Sequence, residues 1–299
     1  MRLITFLSDD GPRAGTFVSD GTIMAIRDLV PGGPIDMLRV IEQFEGFRKG
    51  IGDAAKRARG GVDASKAKLL APIPLPRRNV FCVGWNYSEH FQEGANMRAA
   101  SGTPGQPEIP PYPALFSKNP ATVTGPDSGV LFPAPHSEEL DWEVELAVIV
   151  GRPGRDISEA DAPQHIFGYT CANDVSVRDV QRRHGGQWFK GKNFDTHLPM
   201  GPWIVTADEL DPSALRVQTR VNGEKKQDSN TRFMVFKIPR LISEFSAGCR
   251  LESGDIMITG TPEGVGFARK PPEFMKIGDT VEVEIEGIGV LRNTVVGRT

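Results

Sequence analysis

Leu140-Asp141-Trp142-Glu143-Val144-Glu145-Leu146-Ala147-Val148-Ile149-Val150 sets an alternation of charged and apolar residues directly against an unbroken apolar run. Side chains alternate faces along a strand. An extended backbone here therefore places Asp141, Glu143 and Glu145 on one side and Trp142, Val144 and Leu146 on the other. Like charges that close repel each other, and the apolar run behind them puts them at the edge of a core, so something cationic has to offset them. A divalent ion is the economical answer, because hard ions such as Mg²⁺, Mn²⁺ or Ca²⁺ prefer carboxylate oxygens. A solvated polar face of an amphipathic strand fits the same alternation equally well, and the pattern alone leaves both readings open.

Outward from this stretch the chain reads as short strands separated by turns, in keeping with its 33 Gly and 24 Pro. Strand-like runs fall at Val130 to Pro133, Trp142 to Val150, Ile166 to Asn173, Met200 to Val205, Leu215 to Val221, Asp255 to Thr259 and Thr280 to Ile285. The last is expected to form a hairpin with Gly289 to Val296 across Glu286-Gly287. Upstream, residues 2 to 30 predict a small meander. From Pro34 to Arg59, Met37, Leu38, Ile41, Phe44 and Phe47 recur at helical spacing, which predicts one helix and leaves open a break near Gly46 or Gly50. Helical periodicity otherwise appears near Glu138, at Ser176 to Arg183 and at Met234 to Gly248. Pro72, Pro74 and Pro76 predict an extended linker. The division expected is an N-terminal α+β lobe over 1–70 and a main domain over 71–299, in a class that is mostly β with a few helices. Between Glu93 and Ala114 the proline-rich stretch is expected to be a surface loop or lid with no regular helix.

Four further segments carry groups able to do chemistry. Asp174 lies where a small-residue strand gives way to a helix. Either it or Asn173 serves equally well as a helix N-cap, and Arg178 and Gln181, one turn on, are placed to face an anion. His90 and Glu93 share one face of a helical turn, where the carboxylate would orient the imidazole as a general base. Taken alone, such a pair is more often an exposed ion pair. Lys192, in a Gly/Pro-bounded loop, would stabilise a developing enolate oxygen, against the plainer reading of a solvated surface lysine. Thr259-Gly260-Thr261-Pro262-Glu263-Gly264 follows a strand and offers backbone N–H groups and hydroxyls suited to a carboxylate, or is simply a turn. It matches no nucleotide-binding fingerprint.

Composition narrows the class further. The 299 residues are 39% hydrophobic and 24% charged, ample for a sizeable core. A net charge of -3 gives no footprint for nucleic acid or an anionic membrane, so neither is expected as a partner. Three scattered cysteines argue against a disulfide framework. No apolar run is long enough to span a bilayer, which together predicts a cytoplasmic chain.

Taken together and in order, VGWNYSEH, LDWEVELAVIVGR, NDVSVRDVQ, GKNFDTHLPMGP and SGDIMITGTPEGVG resemble the signature blocks of the fumarylacetoacetate hydrolase superfamily, over roughly residues 70 to 299. The resemblance implies a mixed β-roll catalytic domain, assembled as a homodimer, with metal and substrate at one open end of the roll and the small N-terminal lobe serving assembly. Carried over by position, it implies metal ligation by Glu143, Glu145 and Asp174, with Asp141 outside the ligand set. It also implies a lid dyad of His90 and Glu93, an enolate-stabilising Lys192, and substrate contacts from Arg178, Gln181 and Thr261. A departure is the stretch Ala95 to Tyr112, longer than the usual lid connection. Mg²⁺ or Mn²⁺ is favoured, with Ca²⁺ admitted and Zn²⁺ disfavoured for want of His or Cys ligands.

The function so implied is hydrolysis of a C–C bond in a small diketo acid of acylpyruvate or fumarylpyruvate type. His90 would activate water, and Lys192 would hold the leaving enolate. The same platform serves oxaloacetate decarboxylation, or isomerase, decarboxylase and lyase reactions on aromatic-degradation or sugar-acid intermediates. A catalytically silent module that binds a 2-oxo acid is the alternative of another class.

Overall fold

The computed structural model describes residues 1–19, 21–100 and 108–298, the side chains of 95–100 excepted. Its spine is the strand Val144–Val150, buried along its whole length. Ile166–Asn173 pairs antiparallel on one side, with Val144 opposite Asn173, and Ile256–Ile258 pairs antiparallel on the other. Beyond the first neighbour the sheet runs through Leu198–Thr206 to Arg2–Ser8 and Gly11–Ser19. Beyond the second it runs through Val80–Gly84 to Ala114–Lys118. A second sheet carries the hairpin of Thr280–Ile285 with Gly289–Val296, flanked by Arg216–Val221 and Gly129–Leu131. The chain is mostly β with a few helices, and among the described residues no helix is long and apolar enough to cross a membrane.

Both faces of the spine are buried, so its alternation sorts residues between two cores instead of between core and solvent. Val144, Leu146 and Val148 join Val217, Val283 and Ile285 of the second sheet and Leu241 and Ile242 of the helix Ile238–Ser246. Ala147 and Ile149 join Met37, Ile41 and Phe44 of the helix Met37–Arg57. Each such large side chain contributes about 1.5–3 kcal/mol by leaving water. The strand Arg2–Ser8 and the helix Met37–Arg57 are therefore bound into the same sheet and core as the rest. Leu3 pairs with Ile204, and the Phe44 ring meets Phe167 edge-on at 4.9 Å.

Several local expectations are corrected. Helix Met37–Arg57 runs unbroken through Gly46 and Gly50, its length held by the buried face and by Asp36 accepting from the Arg39 N–H. Near Glu138 there is turn instead of helix, since Pro133 and Pro135 bracket the approach. The helix expected from Met234 begins at Ile238, with Pro239 in its first turn, and the one expected from Ser176 begins at Arg178. The segment after Glu93 is helical as far as Ala100, because its prolines begin only at Pro104; residues 101–107 of the expected lid connection lie outside the described residues. The strand containing the three acids is interrupted at Trp142-Glu143. Asp141 belongs to a separate two-residue ladder with Ser176, not to one continuous charged face.

Candidate metal centre and active site

Two strand ends build the centre. Antiparallel pairing of Val144 with Asn173 brings the residues just outside each strand together. The Asp174 N–H donates to the Glu143 carbonyl at 2.9 Å, and the Glu143 N–H donates to Asn173 Oδ1 at 2.9 Å. Glu145, on the strand itself, completes the group. One oxygen from each of Glu143, Glu145 and Asp174 falls within 4.8 Å of the others, and all three residues are buried. The solvated-face reading of this stretch is thereby excluded. An N-cap role for Asp174 is excluded too, since Val177 occupies that position without any side-chain cap.

Three buried cations offset the acids. Lys192 Nζ lies 2.8 Å from Glu143 Oε2 and 2.6 Å from Asp174 Oδ2. Arg178 donates from Nε to Asp141 Oδ2 at 2.7 Å and places Nη2 2.6 Å from Glu143 Oε1. Lys118 Nζ donates to Asp174 Oδ1 at 2.7 Å and to the Val175 carbonyl at 3.1 Å. Burial pushes the Glu143 carboxyl up, but Lys192, Arg178 and His90 outweigh it and hold the group down at about 2. Glu145 has no ion pair among the described residues: burial first, then the charges of Asp174 and Glu143, push its carboxyl well above the usual range, against the weaker pull of Lys192 and the Gly260 N–H. Burial lowers the Lys192 ammonium's affinity for its proton, and the attraction of Asp174 and Glu143 more than restores it. An oxygen-only donor set that keeps one acid unneutralised suits a hard divalent cation, and Glu143, Glu145 and Asp174 are the residues that would hold it.

The remaining expected residues are placed as follows. His90 is buried at the edge of the centre, on the helix Ser88–Ala100, with Nδ1 3.6 Å from Glu93 Oε2, beyond hydrogen-bonding distance. Glu93 Oε1 instead accepts from the Gly264 N–H at 2.9 Å and ties the helix to the Thr261–Gly266 loop. Arg178, expected to face an anion, has its guanidinium engaged with Asp141, Glu143 and Gln181, under the Phe267 ring at 4.5 Å. Gln181 reaches the centre through that arginine, its Oε1 accepting from Arg178 Nη1 at 3.2 Å. Thr261 is buried, its hydroxyl accepting from Gln227 Nε2 at 2.9 Å.

The loop after Ile256–Ile258, read from sequence as a cradle for a carboxylate, cradles carboxylates of this chain. Gly260 N–H donates to Glu145 Oε2 at 2.6 Å, and Gly266 N–H and Phe267 N–H donate to Asp141. Gly260 has φ +93, and a Cβ there would stand 2.7 Å from the Asn86 Cβ, so glycine is required where this loop approaches the Trp85-Asn86 turn. Asn86 fastens the two, donating to the Thr259 carbonyl at 2.7 Å. Beside Lys192 stands an aromatic wall. Trp188 meets Trp85 at 4.8 Å and Phe116 at 5.4 Å, and its ring covers Gly84 so closely that a Cβ there would lie 2.2 Å from it.

Sequence reasoning missed Lys118 and Gln227. Both sit on strands it also missed, Ala114–Lys118 and the polar Glu224–Asn230. For Lys118 a signal was present: a lone lysine closing the apolar Ala114-Leu115-Phe116 run. Gln227 offered none, since its strand is set by the Asn222-Gly223 turn and pairing to Arg216–Val221, without apolar alternation.

With this geometry in place, comparison with known proteins is specific. Residues 79–296 match the model of the fumarylacetoacetate (FAA) hydrolase C-terminal family. The chain is 42% identical to a mitochondrial oxaloacetate tautomerase of Bos taurus, over 99% of this chain and 92% of that one. It is 38% identical to an oxaloacetate tautomerase of Bacillus subtilis (strain 168), over 94% and 95%. Its fold superposes on the crystal structure of maleylpyruvate hydrolase from Sphingobium sp. SYK-6 in complex with manganese (II) ion and pyruvate. That match has a TM-score of 0.79 and 32% identity, and covers 100% of both chains. The chain belongs to the fumarylacetoacetate hydrolase family.

Proposed function

We propose that this chain is a divalent-metal-dependent enzyme that moves a proton at the carbon beside the ketone of a small 2-oxo acid, with keto–enol tautomerisation of oxaloacetate as its reaction. The observation that carries this reading is a base and an ammonium set against one carboxylate. Lys192 Nζ lies 2.8 Å from Glu143, and His90 is buried at the edge of the same centre. Enolisation needs a base at the C–H and a cation for the developing oxyanion; it needs neither a nucleophile nor water. Similarity to the two oxaloacetate tautomerases along nearly the whole chain supports the substrate.

Mg²⁺ or Mn²⁺, when bound, would supply electrophilic polarisation of the substrate's ketone and carboxylate oxygens. The rest falls to the chain's own residues. His90, with Nδ1 turned toward Glu93, presents Nε2 to the substrate, takes the proton from carbon and returns it to oxygen. Lys192 holds the charge on the oxygen while the proton is in transit. Asp141 and Arg178 cancel, which leaves three carboxylates against Lys118 and Lys192. With all three ionised, a divalent cation held there would bring the centre to a single positive charge, suited to an anionic diacid.

Hydrolysis of a C–C bond in an acylpyruvate-type diketo acid is the second reading, and the aromatic wall favours it. Trp85, Phe116 and Trp188, packed edge to face, offer apolar ring surface for an unsaturated tail, with Lys192 5.2 Å from the Phe116 ring. In that reaction His90 activates water and Lys192 receives the leaving enolate.

One assay separates them. Chelator-stripped protein is given enol-oxaloacetate and, separately, an acylpyruvate, with Mg²⁺ or Mn²⁺ restored and pyruvate quantified. Metal-dependent decay of the oxaloacetate enol band without pyruvate establishes the tautomerase. Pyruvate from the acylpyruvate establishes the hydrolase, and pyruvate from oxaloacetate shows decarboxylation and overturns both.

A further inference from the structure

We propose that Lys118 is a positioning residue that sets the metal preference of the centre: by occupying Oδ1 of Asp174 it confines that carboxylate to a single ligand oxygen and so selects a compact six-coordinate ion, Mg²⁺ or Mn²⁺, over Ca²⁺. The inference rests on the metal reading of the site and adds a determinant of which metal is taken.

The geometry has a common theme. Each of the three carboxylates has one oxygen tied back to a fixed donor. Asp174 Oδ1 is held by Lys118 Nζ at 2.7 Å, Glu145 Oε2 by the Gly260 N–H at 2.6 Å, and Glu143 Oε1 by Arg178 Nη2 at 2.6 Å. One oxygen of each acid lies within 4.8 Å of the others, and Asp174 Oδ2 and Glu143 Oε2 already share the Lys192 ammonium as a cation. The centre thus offers one oxygen per carboxylate. Mg²⁺ is satisfied by near-octahedral single contacts at about 2.0–2.1 Å, and Mn²⁺ likewise takes octahedral oxygen sites. Ca²⁺ takes six to eight oxygens at about 2.3–2.6 Å and gains most from carboxylates that turn both oxygens to it.

Of the three ties, the one from Gly260 is backbone. The one from Arg178 is shared with Asp141, so removing it would also strand that acid. Lys118 alone is a side chain whose polar contacts, apart from the Val175 carbonyl, serve Asp174. It is wholly buried at the end of the Ala114–Lys118 strand, so its ammonium cannot swing out to water and let Asp174 rotate. A lysine kept at such a desolvation cost, on the outer oxygen of one ligand, is placed to restrict that ligand.

The test is metal binding, read without turnover. Free Mn²⁺ is followed by electron paramagnetic resonance on chelator-stripped protein, and Ca²⁺ is titrated as competitor, for wild type, Lys118→Met and Lys118→Arg, with circular dichroism melts to verify folding. Wild type should prefer Mn²⁺ to Ca²⁺ by tenfold or more. Lys118→Met should raise the Ca²⁺ to Mn²⁺ affinity ratio by about tenfold as Asp174 becomes able to present both oxygens, and Lys118→Arg, which keeps a donor there, should stay near wild type. A ratio unchanged in a folded Lys118→Met that still binds Mn²⁺ overturns this inference alone. Equal binding of Ca²⁺ and Mn²⁺ by wild type overturns it whether or not the variants fold. No Mn²⁺ binding by wild type at all removes the metal reading and this inference with it.

Discussion

The centre at Asp174 and the site of His197 bury ionisable groups by opposite means. At the centre charge is retained and matched: Asp174 is held between Lys118 and Lys192, Glu143 between Lys192 and Arg178, and Asp141 by Arg178 and three backbone N–H groups. At His197 charge is abolished. The ring is buried, Nε2 lies 2.7 Å from the Leu131 carbonyl, and the imidazole stacks on Phe194 at 5.4 Å. Burial lowers its affinity for a proton until it titrates at about 3, so the ring stays neutral. A carbonyl accepts only from a protonated nitrogen, which assigns the hydrogen to Nε2. The contrast shows what marks a working site in this fold. One region holds at Glu145 a raised carboxyl that a cation can claim in place of its proton, whereas the other has spent its polarity on a single backbone contact.

The comparison breaks most completely at Asp174. Asp174→Ala should lose activity and cut Mn²⁺ affinity by more than about 100-fold, beyond the usual effect of altering a group behind a ligand. It should also destabilise the fold by about 3–5 kcal/mol, because Lys118 and Lys192 are left buried without their shared carboxylate. Calorimetric metal titration and urea unfolding read the two effects separately. His90→Asn should lower kcat by about 10²–10⁴-fold, the usual contribution of a positioned acid–base group, with Mn²⁺ affinity close to wild type. An equal fall in metal affinity would place His90 among the groups holding the ion.

Glu145 gives a subtler effect. Burial and its two acidic neighbours raise its carboxyl, so a metal ion binding there competes with a proton more than it would at an ordinary carboxylate. Metal affinity should therefore rise with pH, by up to about tenfold per unit while Glu145 remains protonated in the metal-free form. Titrations in buffers of differing ionisation enthalpy should register the proton released.

Much of this was legible in the sequence where local pattern and tertiary role agree. Ile166–Asn173 and the hairpin of Thr280–Ile285 with Gly289–Val296 fall where β-branched runs and a Gly turn placed them. The acids at Glu143, Glu145 and Asp174 stood out because charge beside an apolar run demands an explanation. Hidden were the features set by distant partners. Nothing in Leu140–Val150 shows that the strand breaks at Trp142, because the break follows from Asp141 being claimed by Arg178 and the Gly266 loop. Arg178 was read as a hand for an anion, but an acid 37 residues away takes it first. Lys118 closes an apolar run, but its partner Asp174 is 56 residues away and only the sheet brings the two together.

His197 supplies the smallest and cleanest effect, because its side-chain hydrogen bond among the described residues is to backbone and no carboxylate contributes to its shift. Its folded pKa of about 3 lies below the value of about 6.5 in an unfolded chain, so below pH 6.5 the unfolded state binds more protons than the folded one. The contribution to stability is therefore complete above pH 6.5 and is lost as pH falls from there toward 3. At pH 5.5, one unit into that window, the loss should be about 1.4 kcal/mol. His197→Phe keeps a ring against Phe194 but removes the titration. It should be less stable than wild type at pH 7.5, where the bond to Leu131 is missing, and should lose about 1.4 kcal/mol less than wild type between pH 7.5 and 5.5 in urea unfolding. Parallel pH profiles for the two proteins would mean that His197 is charged in the folded state, and the contrast between a matched and a neutralised interior would fall with it.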